Sequence, residues 1–338
     1  MKLSLYLPTM TAQRPPADPV AAFERIRDLA AAADEAGFAA VWVPDHFMPF
    51  GEPGSYVFEA WTTLAALARE TTRIRLGQLV TGNGYRNPAL LAKMASTLDV
   101  IAGGRFTFGI GAGWFGPEYE AFGFDFPPVR ERLARLEEAL RITLAMWSGT
   151  PTTFDGTYYR TSGVVDQPTG VQSPHIPVMV AGAGEKVTLR LVAQYADMCN
   201  VQLAPDEVAR RYAVLARHCE AVGRDYRTIT KTSTSYCLIA DTDEEARAAV
   251  PPWTPSVFPG DVGAYGLVGT LDTVHERLAA YAEAGVDELI VGFHDPLDTE
   301  TLKAFAGEFL DDRPVPQSAQ AATPGPRSAA EPAVASSP

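Results

Sequence analysis

The sequence is poor in the residues that hold small secreted domains and metal centres together. It has three cysteines among 338 residues, and Cys199, Cys219 and Cys237 do not have the spacing of metal ligands. Because their number is odd and no pairing pattern is evident, we interpret them as reduced core residues. The sequence therefore predicts neither a disulfide-bonded scaffold nor a zinc site.

Long apolar segments and positive charge are also scarce. No apolar run approaches the roughly twenty residues that span a bilayer, and residues 1–8 are typical of a first β-strand instead of a signal peptide. Lysine and arginine number 28 against 41 aspartates and glutamates, a formal net charge of −13, and no basic cluster offers the face that nucleic acid requires. We therefore expect a cytoplasmic protein whose partner is neither a membrane nor a nucleic acid.

What the sequence has in abundance is short β-branched runs that alternate with helical patterns. At Asp18-Pro19 an acidic N-cap precedes proline at the first helical position, and Gly37 ends the same helix. Eight runs are predicted as strands: 3–7, 40–43, 74–80, 105–110, 178–180, 198–201, 230–239 and 288–293. Eight parallel strands with intervening helices predict a protein of the α/β class, a (β/α)8 TIM barrel.

Two segments depart from this alternation. Residues 152–160 are typical of a β-hairpin around an Asp155-Gly156 turn, and we interpret them as an insertion after strand four that forms a lid or one wall of the substrate pocket. Residues 313–338 consist almost entirely of Pro, Ala, Ser, Gln and Gly. They are predicted to be a disordered tail that follows a single barrel domain over residues 1–312.

Unusual residues follow directly after four of the predicted strands. Asp45 and His46 follow the second strand, and the segments 79–84, 109–113 and 181–184 follow the third, fourth and fifth. In a barrel of this type the loops at the carboxyl ends of the strands meet at one face and carry the chemistry. We therefore predict an enzyme with one site built from these four loops.

The loop after the fifth predicted strand has the composition of an anion site. Gly182, Ala183, Gly184 and Glu185 open a helix predicted over 187–193, so that free backbone N–H groups point outward. Glycine at these positions also permits a tight turn without any ligand. The late position of the loop in the barrel favours a cofactor phosphate.

Two further motifs lie at strand ends. The glycines of 109–113 are not a dinucleotide-binding motif, because Gly109 and Gly111 lie within or at the end of the strand and no acidic residue follows at the expected distance. We interpret them as sites where a flat ligand approaches the backbone closely. His46, next to Asp45, can exchange protons with a ligand near neutral pH. The alternative is that Asp45 caps a turn and His46 is structural.

Together these segments resemble the luciferase-like monooxygenase family, and especially its branch of oxidoreductases that use the deazaflavin coenzyme F420. The likeness extends to about Leu310 and is carried by residues 41–47, 76–82, 85–93, 98–106, 113–114 and 182–186. It implies a TIM barrel with a non-proline cis peptide bond between Leu79 and Val80. This bond would end the third strand and support the central ring of the cofactor.

The resemblance also implies roles for individual residues. Asp45 would face the polar ring edge or side chain of the cofactor, and His46 would lie near the site of hydride transfer. Residues 182–185 would hold the phosphate. Further cofactor contacts are implied for Thr81, Ala112 and Gly113.

The sequence departs from part of the family in the region of its substrate. The sugar-phosphate dehydrogenases of the family have an acid just after the fourth-strand glycines, where this chain has Trp114, and no basic set for a substrate phosphate is evident. A phosphorylated sugar is therefore not the expected substrate. Phe47 and Trp114, with Phe50, Tyr56 and Phe115, indicate an apolar pocket with aromatic walls, or else core packing.

The resemblance implies an oxidoreductase that moves a hydride between coenzyme F420 and a small, apolar organic substrate. In the same fold, reduced FMN would support a monooxygenase instead. A third alternative is a barrel that binds a flavin-like ligand without turnover, as a carrier or sensor. The apolar faces of residues 60–67 and 89–98 fit either a homodimer or burial within one subunit.

Overall fold

The computed structural model describes residues 1–10, 18–50, 55–294 and 297–310. The tail predicted over 313–338, and the last two residues of the domain predicted over 1–312, lie outside these ranges. Among the described residues no helix is both long and apolar enough to cross a membrane.

Eight parallel strands close into a barrel, as the sequence predicts. In chain order the strands are β1 (Lys2–Tyr6), β2 (Ala40–Val43), β3 (Arg75–Gln78), β4 (Thr81–Gly82), β5 (Phe106–Gly111), β6 (Thr152–Asp155), β7 (Arg160–Val164), β8 (Val178–Ala181), β9 (Met198–Asn200), β10 (Thr230–Ile239), β11 (Leu267–Gly269) and β12 (Glu288–Phe293). The ring runs β1-β2-β3-β5-β8-β9-β10-β12 and returns to β1. β4 pairs with β5 above β3, and β11 pairs with β10 outside the ring.

Helices surround this barrel. They are α1 (Pro19–Ala36), α2 (Ala60–Glu70), α3 (Pro88–Ile101), α4 (Gly116–Ala121), α5 (Val129–Met146), α6 (Thr188–Tyr195), α7 (Pro205–Ala221), α8 (Asp243–Ala248), α9 (Val262–Tyr265), α10 (Leu271–Glu283) and α11 (Thr299–Phe309). The Asp18 side chain accepts from the N–H of Val20, and Gly37 ends α1 with φ +90°, as predicted. α11 follows β12 and was not predicted from the sequence.

The core explains two of the glycines in the fourth predicted strand. All six residues of β5 are buried, and a Cβ on Gly109 would lie 2.0 Å from the backbone oxygen of Gln78. At Gly111 a Cβ would lie 3.0 Å from the side chain of Val80. These glycines therefore allow close approach of the neighbouring third strand, and a ligand contact at either position stays a prediction.

The insertion after the fourth barrel strand is confirmed as an antiparallel hairpin of β6 and β7. The carboxylate of Glu138 on α5 accepts the backbone N–H groups of Thr157, Tyr158 and Tyr159 at 2.7, 2.9 and 3.0 Å. The hairpin turn is thus attached to a helix of the barrel's outer layer.

Candidate active site

A cavity of about 200 Å³ opens at the carboxyl ends of the barrel strands, and its wall is mostly apolar. Residues from seven barrel strands or their following loops line it: Tyr6 on β1, His46 after β2, Leu79 after β3, Trp114 after β5, Gln202 after β9, Tyr236 on β10 and Phe293 on β12. The loops after the second, third and fourth predicted strands therefore meet at one site.

The residues of the hairpin do not line this cavity. The structure therefore does not place the predicted lid or pocket wall there. Trp253, Val257 and Phe258 line it instead. They belong to the proline-rich connection between β10 and β11. In sequence this connection has no periodic pattern, which is why its role was not predicted.

His46 is held at the rim of the cavity by a buried carboxylate. Its Nδ1 lies 2.9 Å from Oε2 of Glu118, a fully buried residue on α4. The other oxygen of Glu118 accepts the backbone N–H groups of Phe47 at 2.6 Å and Met48 at 3.1 Å, and the Tyr85 hydroxyl donates to Oε2. Glu118 therefore fixes both the imidazole and the loop that carries it.

These contacts favour the ionised form of Glu118. Burial alone would raise the pKa of this carboxyl, but the hydrogen bond and charge of His46, followed by Tyr85 and Phe47, bring the pKa below its ordinary value of 4.5. An ionised carboxylate only accepts hydrogen bonds, so Nδ1 of His46 carries a hydrogen. Nε2 is then the ring nitrogen that can exchange a proton with a ligand.

Asp45 lies in a buried ion pair behind the cavity wall. Arg86 donates to its Oδ2 at 2.6 Å and its Oδ1 at 3.1 Å, and the Thr81 hydroxyl also donates to Oδ2. The same guanidinium reaches Glu59 at 2.6 Å, and Trp61 donates to Thr81 Oγ1 at 3.0 Å. Burial raises the pKa of Asp45 in spite of Arg86 and Thr81. The Asp45 carboxylate thus has protein partners already.

The peptide bond between Leu79 and Val80 is cis, as the resemblance implies. Leu79 lines the cavity, and both side chains pack against the cluster inside the barrel that contains Trp42, Met179 and Ile290. This short segment, between β3 and β4, is therefore part of the inner wall at the rim.

Ala112 and Gly113 follow β5. Gly113 has φ +79°, and a Cβ there would lie 2.0 Å from the Tyr119 hydroxyl oxygen, so this position requires glycine. Its carbonyl accepts a hydrogen bond from Arg132. Ala112 is half-buried and packs against the main core. Neither residue lines the cavity, and their contact with the cofactor stays a prediction.

The loop of residues 182–185 joins β8 to α6 at the same end of the barrel but does not line the cavity. Gly182 has φ +132°, and α6 has no side-chain cap at its N-terminus. Arg210 and Arg211 of α7 pair with Glu185 at 2.8 and 2.7 Å, and Arg211 also donates to the carbonyl of Ala183 at 3.0 Å. The loop thus combines an uncapped helix N-terminus with two guanidinium groups, and both attract anions.

Only some of the aromatic residues predicted for the pocket line the cavity. Trp114 lines the cavity while 53% exposed, and Phe50 packs between it and His46, with ring centroids 5.4 and 4.6 Å away. Phe47 instead packs against Tyr85 and Phe122, at 4.8 and 5.1 Å. Phe47 is therefore part of the aromatic layer behind Glu118.

Sequence reasoning missed several residues of this site. Glu118 lies one turn beyond Trp114, in the segment that follows the fourth-strand glycines, so the position itself was a signal. His294 directly follows the predicted strand 288–293, which is a signal of the same kind. Arg86 and Tyr236 had no local signal, because each meets its partner only through the closed barrel. The basic pair Arg210 and Arg211 was also not identified as a set.

Comparisons with known proteins agree with this geometry. The family model described as luciferase-like monooxygenase matches residues 1–288. An F420-dependent hydroxymycolic acid dehydrogenase from Mycobacterium tuberculosis is 33% identical over 227 residues, which cover 67% of this chain and 62% of the relative. An F420-dependent glucose-6-phosphate dehydrogenase from Kineococcus radiotolerans is 38% identical over 167 residues, 48% of each chain.

The chain thus spans about half to three fifths of the length of these curated relatives. Among solved structures, an F420-dependent secondary alcohol dehydrogenase in complex with an F420-acetone adduct superposes with a TM-score of 0.75 at 22% identity, over 90% of this chain and 97% of that one. This likeness concerns the fold. Because the family model matches residues 1–288, which is most of this chain, the chain belongs to the luciferase-like monooxygenase family.

Proposed function

We propose that this chain is an oxidoreductase that transfers a hydride between coenzyme F420 and a small, apolar organic substrate. The observation that carries the proposal is the His46–Glu118 pair at the rim of the mostly apolar cavity. Relatives at 33% and 38% identity are F420-dependent dehydrogenases, which supports the same coenzyme here.

The residues present fit a flat ring with an anionic tail. Leu79 and Trp114 offer apolar surface for a ring within the cavity. The loop of residues 182–185 opens α6 with an uncapped N-terminus, which favours a phosphate. The two arginines beside this loop are balanced by the carboxylates of Glu185 and Glu207. When bound, the coenzyme supplies the ring that carries the hydride.

In this proposal His46 would exchange the proton that the coenzyme ring takes up or releases together with the hydride. Its Nδ1–H is held by Glu118, so Nε2 faces the ligand with a fixed orientation. Asp45 is a positioning residue, because its ion pair with Arg86 anchors the loop that carries His46. The aromatic rings of Phe50 and Trp114 around His46 favour an apolar substrate group at this wall.

Binding of the coenzyme provides the first test. Purified protein is titrated with oxidised F420 and, separately, with FMN, and binding is followed by ligand fluorescence. We expect a dissociation constant in the micromolar range or below for F420 and negligible binding of FMN. Oxygen consumption with reduced FMN would instead support a monooxygenase, and F420 binding without turnover across a panel of alcohols, ketones and imines would support a carrier.

A variant of His46 provides the second test. We expect His46→Ala to retain F420 binding but to reduce hydride transfer by roughly a hundredfold or more, because the proton donor is lost. His275→Ala is the matched control, since His275 on α10 pairs with Glu308 on the outside of the barrel. Equal effects of the two substitutions would contradict the role of His46.

We also propose that two copies of the chain associate through α2 and α3. The groove between these helices is lined in part by Ala65, Met94 and Leu98. Leu90 and Val100 of α3 are exposed nearby. Such an apolar surface is typical of a subunit contact.

A further inference from the structure

A second pair of polar side chains lies at the wall formed by β10 and β12. The hydroxyl of Tyr236 is 2.7 Å from Nδ1 of His294, the residue that follows β12. Tyr236 lines the cavity and is 2% exposed, whereas His294 is half-buried. The pair therefore links the cavity to the outside of the barrel rim.

The parallel register of the two strands fixes this pair. Tyr236 lies opposite Gly292 and Cys237 opposite Phe293, and the backbone N–H of His294 donates to the carbonyl of Cys237 at 3.0 Å. The position of the imidazole is thus set by backbone pairing and does not depend on a mobile loop.

Two neighbouring polar groups of the same wall are hydrogen-bonded within the protein. Gln202 donates to the carbonyl of Val257 at 2.9 Å, and the Thr234 hydroxyl accepts from Asn200 at 3.1 Å. Tyr236 differs from them because its partner is an imidazole, whose ring nitrogen can accept the hydroxyl proton. The cavity wall thus carries a hydroxyl whose proton can be exchanged.

Aromatic rings pack against the ring of Tyr236. Trp253 and Phe258 pack edge-on against the tyrosine ring, with centroids 6.0 and 5.6 Å away. In such low-dielectric surroundings a hydrogen bond to a ligand oxygen is stronger than in water. The site therefore favours a ligand with one oxygen on an otherwise apolar body.

We propose that Tyr236 and His294 form a proton relay for the oxygen of a secondary alcohol or ketone substrate, on the wall of the cavity opposite His46. The inference rests on the proposed function and deepens it. When the alcohol is oxidised, the C–H bond breaks and its electron pair leaves as hydride to oxidised F420, while the C=O bond forms. The hydroxyl proton of the substrate passes to Tyr236 Oη, and the proton of Tyr236 passes to His294 Nδ1. Ketone reduction runs the same transfers in reverse.

The first test needs no coenzyme. Binding of cyclohexanol and of methylcyclohexane, which has a similar shape but no oxygen, is measured by ligand-observed NMR. We expect Tyr236→Phe to weaken cyclohexanol binding about five- to tenfold, as loss of one hydrogen bond predicts, and to leave methylcyclohexane binding unchanged.

Tyr265→Phe is the matched control, because it also removes a hydrogen-bonded hydroxyl from the same apolar cluster, where Tyr265 donates to the Pro259 carbonyl. We expect this control to change neither affinity. No detectable binding of cyclohexanol to the wild type, or equal weakening of both ligands in Tyr236→Phe, would overturn the proposal.

The second test distinguishes proton transfer by His294 from a role in which His294 only orients Tyr236. With F420 and cyclohexanol, we expect His294→Ala to lower kcat about a hundredfold and added imidazole to restore a large part of it, with F420 affinity unchanged. Tyr236→Phe should lose kcat to a similar extent without rescue. Loss of kcat in His294→Ala that imidazole does not restore would overturn the relay. If the wild type fails to bind F420, the proposed function fails, while the coenzyme-free measurement still decides whether Tyr236 binds an oxygen.

Discussion

A single buried carboxylate organises the loop that carries the candidate catalytic histidine. Glu118 accepts hydrogen bonds from the side chains of His46 and Tyr85 and from the backbone of Phe47 and Met48. A buried carboxylate is stable only when its oxygens are satisfied in this way. At the residue scale, the position of His46 is therefore a consequence of Glu118.

Replacing Glu118 tests this dependence. We expect Glu118→Gln to lower the free energy of unfolding by about 1 to 3 kcal/mol near pH 7. The NH2 group of the glutamine would replace one carboxylate oxygen and would face N–H or O–H donors whose hydrogen bonds it cannot accept. The pKa of Glu118 is lowered in the folded state, so its stabilisation is present above pH 4.5 and is lost as the pH falls through the folded pKa. Urea unfolding at several pH values measures this.

Two outcomes would contradict that prediction. One is a difference between wild type and Glu118→Gln that grows on acidification, since protonation should make the two proteins more alike. The other is an unchanged hydride-transfer rate, because a mispositioned His46 cannot exchange its proton efficiently.

The ion pair behind the cavity wall gives a second prediction at this scale. Arg86 forms ion pairs with both Asp45 and Glu59, so Arg86→Met leaves two carboxylates without their cationic partner. We expect a loss of about 3 to 5 kcal/mol in the free energy of unfolding, measured with urea. Arg27→Met is the control, since the exposed pairs of Arg27 with Glu24 and Asp28 are worth about 1 kcal/mol or less. Similar losses in both would contradict the assignment.

Residues at strand ends could be predicted, and their partners could not. Asp45, His46, Leu79 and Trp114 follow apolar strands, and barrel topology alone brings such loops together. The partner of His46 is 72 residues away, at Glu118. Such a contact depends on how a short helix packs over the rim, which no local pattern specifies.

At the scale of elements, the hairpin of β6 and β7 depends on one helix residue. Glu138 accepts three consecutive backbone N–H groups of the turn, and Gly156 has no room for a Cβ, which would lie 2.4 Å from the Glu138 carboxylate. The Asp-Gly sequence predicted the turn. Glycine at this position leaves room for the carboxylate from α5.

We therefore expect Glu138→Gln to loosen the hairpin turn alone. Amide hydrogen exchange of residues 157–159 should accelerate by about tenfold, because the Gln side chain has only one oxygen to accept these hydrogen bonds. The global free energy of unfolding should change little. Glu131→Gln on the same helix is the control, since Glu131 accepts from Arg135 only at the surface. Exchange that accelerates across the whole barrel would contradict a local role.

The elements themselves were largely predictable because buried parallel strands are short β-branched runs bounded by caps. The predicted bounds of β2, β10 and β12 agree with the structure. α11 was missed although Asp298 caps it, accepting from the N–H of Thr301 at 2.7 Å. The capping signal was therefore present in the sequence although the helix was not predicted.

At the scale of the whole molecule, the cavity exists only when the ring is closed. β1 pairs with both β2 and β12, so the first and last barrel strands are neighbours. His46 comes from the first quarter of the chain and Tyr236 from its last third, and both line one cavity. Each of the proton-handling pairs therefore depends on contacts between distant parts of the chain.

The net charge of −13 opposes association of two copies, so the proposed dimer must rely on the apolar groove between α2 and α3. We expect dimers in sedimentation velocity experiments, with tighter association as salt screens the like charges. Met94→Glu places a charge in the groove and should give monomers that retain F420 binding. Val20→Glu, on the exposed face of α1, adds the same charge elsewhere and should leave the dimer intact. A wild type that sediments as a monomer at all salt concentrations, or a Val20→Glu variant that dissociates as fully as Met94→Glu, would show that this groove is not the contact between subunits.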